Sequence, residues 1–150
     1  MIRSMTALLL ALVIQDGDLS ARLASAQKAA AWDNLRVIVV WGADDAAREA
    51  LKRSAAKIKN DYIVVQADAT QADLAKKLGA DVSKLPWITI LSSDGKPVAN
   101  VESPSEPKAL LDLLQKHRPE PLKAKEVLAA AIARAKAEKK RVLLTFGAPW

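Results

Sequence analysis

Apolar residues follow two patterns along the chain, and each pattern predicts one kind of element. Continuous β-branched runs at Arg36–Trp41 (RVIVVW) and Tyr62–Gln66 (YIVVQ) are typical of strands buried on both faces. Apolar residues at helical spacing predict helices from Leu19 to Trp32, from Ala46 to Lys59 and from Gln71 to Leu78. Because strands and helices alternate at these lengths, we expect the two strands to pair in parallel through crossovers.

The first two helices have apolar faces and acidic residues at their amino termini. Asp18 can cap the first helix, and Asp44 and Asp45 suit the positive end of the second helix dipole. The residues predicted to face the core are Leu19, Leu23, Ala26 and Ala30 in the first helix, and Ala47, Leu51, Ala55 and Ile58 in the second.

The pattern changes after residue 86, where two apolar runs are separated by a turn. Trp87–Leu91 (WITIL) and Pro97–Val101 (PVANV) flank Ser92-Ser93-Asp94-Gly95-Lys96, and Asp-Gly between apolar runs predicts an antiparallel hairpin. A leucine-rich helix from Ser105 to His117 follows, with Pro107 in its first turn. We interpret His117 as a basic residue at the negative end of that helix dipole. The prolines in Arg118–Pro121 (RPEP) then prevent the helix from continuing.

The amino terminus resembles an export signal. Arg3 precedes the apolar run Met5–Ile14 (MTALLLALVI), which is followed by polar residues. Ten helical residues would span about half of the hydrocarbon core of a bilayer, so this run predicts no stable membrane span. The small-x-small sequence Ala24-Ser25-Ala26 marks a cleavage site poorly, because it lies within a predicted helix. A buried amino-terminal helix or strand remains the alternative.

Composition excludes several kinds of chemistry. The chain has no cysteine and one histidine, so it cannot form disulfides, thiolate metal sites or a histidine-rich metal site by itself. It lacks the glycine-rich phosphate loops and the serine nucleophile motif. We therefore expect no cofactor and no metal. The net charge of +6 is concentrated at 119–141, which hold seven basic and three acidic residues but no aromatic residue, a pattern that favours a solvated helix face over nucleic-acid binding.

The sequence contains an internal repeat with a period of 105 residues. A shift of this length places Leu23-Ala24 on Leu128-Ala129, Arg36-Val37 on Arg141-Val142 and Gly42-Ala43 on Gly147-Ala148. Predicted helix falls on helix and strand on strand, so 125–150 contain a copy of the first helix and strand, the strand covering Val142–Phe146.

The predicted order of elements and two local sequences resemble the thioredoxin-like superfamily. The stretch ADATQADLAKKLGADVSKLPWITILSSDGKPVANV is similar to the latter half of thioredoxin, and RVLLTFGAPW is similar to the strand that precedes the Cys-x-x-Cys motif. The resemblance implies an α/β thioredoxin-like fold, with a central mixed sheet flanked by helices, plus the first helix and strand of a second such unit. We expect a leader at 1–17, a thioredoxin-like domain at 18–118, a linker at 119–124 and an incomplete second domain at 125–150.

By this resemblance Pro86 corresponds to the cis-proline of the family, with Leu85 before it and Trp87 after it. In the family, the backbone at that proline pairs with an extended substrate peptide. The resemblance therefore predicts a peptide-binding site at these three residues. From spacing alone, Pro86 could equally be a trans proline at the start of an edge strand, and Trp87 could be a core aromatic instead of a peptide contact.

The departures from the family concern its redox chemistry. The positions equivalent to Cys-x-x-Cys are Ala46, Ala47, Arg48 and Glu49, and the buried acid of the family falls on Val40. None of these side chains supplies a thiol or a buried proton acceptor for one. We therefore expect no catalytic residue in this chain, and a redox-inactive domain that binds or positions a protein or peptide partner.

The incomplete second unit leaves several alternatives open. The sequence matches the family up to Trp150, directly before the position of the first cysteine, so we expect a fragment of a longer exported protein, periplasmic or extracellular. Its function would then be thiol-disulfide oxidation or reduction by a Cys-x-x-Cys beyond Trp150, and the missing second domain is itself a candidate partner. Alternatively, the last strand docks on the first domain or on another chain. A scaffold domain without a peptide groove is a further reading.

Overall fold

The computed structural model describes residues 18–144, which fall into two units that divide between Pro119 and Glu120. In the described part, the first unit contains four strands and four helices, and the second contains one helix. The apolar run Met5–Ile14 and the end of the chain from residue 145 lie outside the described residues.

The first unit is built around a mixed four-stranded sheet. Its strands are β1 (Arg36–Trp41), β2 (Tyr62–Ala67), β3 (Trp87–Leu91) and β4 (Pro97–Glu102), in the order β2-β1-β3-β4. β1 pairs with β2 in parallel and with β3 in antiparallel orientation, and β3 and β4 form the antiparallel hairpin. The predicted strand directions are therefore confirmed.

Helices cover both faces of this sheet. On one face, α1 (Leu19–Asp33) and α3 (Ala72–Lys77) pack against the odd-numbered residues of β1, and on the other face α2 (Asp45–Ile58) and α4 (Pro107–Lys116) pack against its even-numbered residues. β1 is buried on both faces because side chains alternate along a strand, which explains its unbroken apolar sequence. The fully buried side chains include Val37, Ile38, Val39, Val40 and Trp41.

The structure corrects the predicted helices in some details. All four residues predicted to face the core from α1 are buried, but the carboxylate of Asp18 makes no capping hydrogen bond. Asp44 does cap α2, since its Oδ1 accepts a hydrogen bond from the Ala47 amide at 2.8 Å. On the buried face of α2, Ser54 takes the place that we predicted for Ala55. The first turn of α4 begins at Pro107 because proline needs no helical hydrogen-bond partner for its nitrogen.

The second unit consists, in its described part, of α5 (Ala124–Ala137) and the residues on either side of it. None of the residues of α5 is buried. Residues 141–144 do not form a strand, so the strand predicted at Val142–Phe146 is absent over its described part. A strand is stable only beside another strand or a packed face, and among the described residues of this unit none is available.

Candidate peptide-binding site

One end of the sheet brings together the segment that follows β1 and the segment that precedes β3. Trp41 and Trp87 are Cα partners in the pairing of these strands, so Gly42 and Leu85 come close to each other. Gly42 has a φ of +54°, and a Cβ atom there would lie 2.8 Å from Cδ1 of Leu85. Glycine suits this position, because the left-handed backbone conformation favours it and a side chain there would displace Leu85 Cδ1.

The peptide bond between Leu85 and Pro86 is cis. The Pro86 carbonyl accepts a hydrogen bond from the Ser103 amide at 2.8 Å, which ties this segment to the end of β4. The N–H and C=O groups of Leu85 have no hydrogen-bond partner among residues 18–144. The Leu85 side chain is 37% exposed. Leu85 thus combines free backbone groups with an accessible apolar side chain.

The four positions that resemble the redox motif begin α2 beside this segment. Ala47 is buried, whereas Ala46, Arg48 and Glu49 are exposed. Glu49 forms an ion pair with Arg53, with Nε and Oε1 2.8 Å apart, and this hydrogen bond lowers the pKa of the Glu49 carboxyl. Glu49 is therefore ionised at neutral pH, and its proton is not available for acid catalysis. The side chain of Val40 is buried and apolar.

A partly buried polar network links the strands that lead to the candidate site. The Trp41 indole donates a hydrogen bond to Thr89 Oγ1 at 3.0 Å, and Thr89 Oγ1 donates to Asn100 Oδ1 at 2.7 Å. The Trp87 indole also points at Asn100 Oδ1, at 3.5 Å, and Asn100 Nδ2 donates to the Leu78 carbonyl at 3.1 Å. The network joins β1, β3 and β4 to the end of α3, where the segment leading to Leu85 begins.

Trp87 is half-buried. This exposure is intermediate between that of a core aromatic and that of an exposed peptide contact, the two roles that the sequence left open. Its ring packs against the core on the side of α1 and α3, and its indole nitrogen approaches Asn100. Sequence reasoning missed Thr89 and Asn100 altogether. The available signal was one polar residue in each of the runs WITIL and PVANV, at positions that the antiparallel register pairs directly.

Two further groups with a shifted pKa, Tyr62 and His117, lie at the opposite end of the sheet. Burial raises the pKa of Tyr62 to about 12, and its hydroxyl donates a hydrogen bond to the Leu114 carbonyl. His117 follows the last residue of α4, at the end where the helix dipole is negative, and burial together with Lys116 and Arg36 lowers the pKa of its imidazole. The favourable interaction of a charged His117 with the helix dipole stays a prediction.

Within residues 18–144, no three histidine, cysteine, aspartate or glutamate side chains are grouped closely enough to hold a metal ion. No helix in the same range is long and apolar enough to cross a membrane.

Solved structures of other proteins share the fold of this chain. The chain is similar to a disulphide isomerase from Xylella fastidiosa Temecula1, with a TM-score of 0.51 and 19% identity over 69% of this chain and 87% of that protein. Thioredoxin NaTrxh from Nicotiana alata gives a TM-score of 0.49 and 21% identity over 66% of this chain and 84% of that protein. Neither a protein-family model nor a curated protein sequence matches the chain. The chain therefore has a thioredoxin-like fold, as its sequence predicted.

Proposed function

We propose that this protein is a redox-inactive thioredoxin-like protein that binds an extended segment of a protein or peptide partner at Leu85, Pro86 and Trp87. The free N–H and C=O groups of Leu85 carry this proposal. An extended chain that approaches Leu85 would satisfy both groups by strand addition, and the exposed Leu85 side chain would contact its apolar residues. Support also comes from the position of Leu85, which lies against Gly42 where β1 ends and β3 is about to begin.

The proposal includes no thiol chemistry. A thiol-disulfide exchange needs a thiolate, and this chain contains no cysteine. The exposed start of α2 presents Ala46, Arg48 and Glu49 beside the site, so it offers a partner charge and surface but no nucleophile.

Peptide binding can be tested with insulin B chain whose thiols have been alkylated, so that only non-covalent contacts are measured. We expect amide chemical shifts at and around Leu85 to move on titration. Leu85→Glu should weaken binding by about tenfold or more, because it puts a charge where apolar contact is made. Val98→Glu is the matched control, since Val98 is an equally exposed apolar residue, at 41%, on β4. We expect it to change the affinity less than twofold.

Pro86→Ala distinguishes a binding site from a scaffold. If Pro86 only supports the fold, the variant loses stability but keeps its affinity per folded molecule. We expect the affinity per folded molecule to fall as well, because Pro86 sets the position of the Leu85 backbone. Unchanged affinity in both Pro86→Ala and Leu85→Glu would exclude the proposed site.

A second candidate function is thiol-disulfide oxidoreductase activity supplied by residues beyond Trp150. The 105-residue repeat favours it, since Arg141-Val142 and Gly147-Ala148 reproduce the ends of β1 and the turn after it. In that case the second thioredoxin-like domain is also a candidate partner of the first. The chain as given should reduce no insulin, whereas a natural chain extended past Trp150 should be active. Insulin reduction by the cysteine-free chain would contradict both proposals.

We also propose export to the periplasm or the extracellular space. The basic residue and apolar run at the amino terminus support it, with polar residues after them. Fusion of residues 1–40 to alkaline phosphatase lacking its own signal should give activity outside the cytoplasm. The same fusion with Leu9→Arg and Leu10→Arg should remain inside, and equal activity of both fusions would contradict export.

A further inference from the structure

The outer edge of β2 is an open sheet edge in the described part of the protein. β2 is the first strand in the order β2-β1-β3-β4, and no strand among residues 18–144 lies on its other side. The amides of Arg36 and Gly42 donate hydrogen bonds to the carbonyls of Asp61 and Ala67 at 2.9 and 3.0 Å. These bonds show which backbone groups of β2 face β1. Because backbone groups alternate along a strand, the N–H and C=O groups of Tyr62, Val64 and Gln66 point outwards.

This edge lacks the features that prevent strands from pairing with other molecules. Proline, charged side chains and bulges commonly protect sheet edges. β4, at the other edge, begins with Pro97 and has a register shift at Ile90 and Leu91 of its partner. β2 has no proline, charged residue or register irregularity. Ile63 and Val64, which face opposite sides of the sheet, are only half-buried, so a further strand would complete their cover.

The chain also contains an apolar segment without a packing partner in the described part of its unit. Val142, Leu143 and Leu144 are 38%, 86% and 54% exposed, and they are not in a strand. The 105-residue repeat places Arg141–Leu144 on Arg36–Val39, the first part of β1. β1 is the strand that pairs with β2 in parallel. The sequence pattern of the strand that pairs with β2 therefore occurs twice in the chain. One copy is β1, inside the sheet, and the other is the exposed residues 141–144.

We propose that residues 141–144 of one molecule add as a parallel strand to the outer edge of β2 in a second copy of the chain. The outward backbone groups of Tyr62, Val64 and Gln66 would supply the hydrogen bonds, and the apolar side chains of 142–144 would cover Ile63 and Val64. The segment 141–144 and the β2 edge are different surfaces of the molecule. A closed dimer therefore forms when each molecule adds its own segment to the β2 edge of the other.

Sedimentation velocity of the full chain over a range of micromolar concentrations tests the proposal. We expect a concentration-dependent dimer, with the dissociation constant raised about tenfold or more by Leu143→Lys. This variant cannot disturb a core, because Leu143 is 86% exposed. Val64→Pro removes an outward N–H group that β1 does not use, and should have the same effect. Trp32→Lys and Val98→Lys are the controls, at exposed apolar residues of α1 and β4, and should leave association unchanged.

Amide hydrogen exchange gives a second measurement that does not require Val64→Pro to fold. The Val64 and Gln66 amides should exchange slowly in the associated protein and quickly in the Leu143→Lys variant. Three results would overturn the proposal: a protein that is monomeric at every concentration, association that survives Leu143→Lys, or association abolished by Trp32→Lys. Slow exchange of both amides in the monomer would also overturn it, since another part of the same chain would then cover the edge.

Discussion

Thr89 is the residue on which the polar network of β1, β3 and β4 depends. Its hydroxyl accepts a hydrogen bond from the Trp41 indole and donates one to Asn100 Oδ1. It therefore connects the buried Trp41 indole to the amide oxygen that the Trp87 indole also approaches. Every polar group in this partly buried network has a partner because Thr89 acts as both acceptor and donor. A threonine within the apolar run WITIL is therefore a structural requirement of the site.

Replacing this hydroxyl by a methyl group should be costly. We expect Thr89→Val to lower the free energy of unfolding by about 1–3 kcal/mol, because the Trp41 indole would stay buried without an acceptor. Urea unfolding gives the measurement, and Thr70→Val is the matched control at an exposed turn position. An equal effect of the two substitutions would show that the network contributes nothing specific.

Among the helices, only one of the two aspartates that precede a helix caps it with its side chain. Asp18 and Asp44 both precede a helix, but only the Asp44 side chain accepts a hydrogen bond from the first turn. Both sequences fit the preference for aspartate at this position, and the side-chain conformation decides between them.

The two aspartates give a matched pair of substitutions. Asp44→Ala should destabilise the protein by about 1 kcal/mol, since the Ala47 amide loses its acceptor. Asp18→Ala should change stability by only a few tenths of a kcal/mol, since no cap bond is lost. Thermal or urea unfolding of both variants checks this, and a larger loss for Asp18→Ala would mean that the two caps have been assigned the wrong way round.

At the scale of the whole molecule, the two units differ in how much of them is buried. The first unit buries both faces of its sheet, and contacts such as the one between the Tyr62 hydroxyl and the Leu114 carbonyl join the sheet to α4. The described part of the second unit leaves all of α5 unburied. Cooperative stability should therefore come from the first unit, and its pH dependence should report the groups buried there.

Ionisation of Tyr62 should lower the free energy of unfolding of the first unit at high pH. Its pKa is raised to about 12 in the folded protein, against about 10 in an unfolded chain. Its contribution is fully present below about pH 10 and is lost as the pH rises towards about 12, because the unfolded state releases the proton first.

Comparison with Tyr62→Phe isolates this effect from the titration of lysines, which both proteins share. At pH 8 we expect the variant to be less stable by about 1 kcal/mol, through loss of the hydrogen bond to the Leu114 carbonyl. Between about pH 10 and 12 the wild-type protein should lose about 2 kcal/mol relative to the variant. Parallel stability curves from urea unfolding at each pH would contradict the assignment.

The sequence alone predicts the order and type of the elements of the first unit, the strand directions and the lack of a thiol in this chain. These follow from local properties: β-branched runs, helical spacing, an Asp-Gly turn and the residue types present. It also pointed to Pro86 through resemblance to a family. It did not predict that Leu85 lies against Gly42, or that Thr89 and Asn100 connect two tryptophans.

Only the tertiary structure decided these features, because each depends on the register between strands that are far apart in sequence. The Trp41 and Trp87 pairing sets which backbone groups meet at the end of the sheet. The strand order likewise decides that β2 is an edge, although its sequence reads like that of a central strand. The strand predicted at Val142–Phe146 is the converse case. Its sequence favours a strand, but strand formation requires a neighbour, and residues 142–144 have none within the described part of their unit.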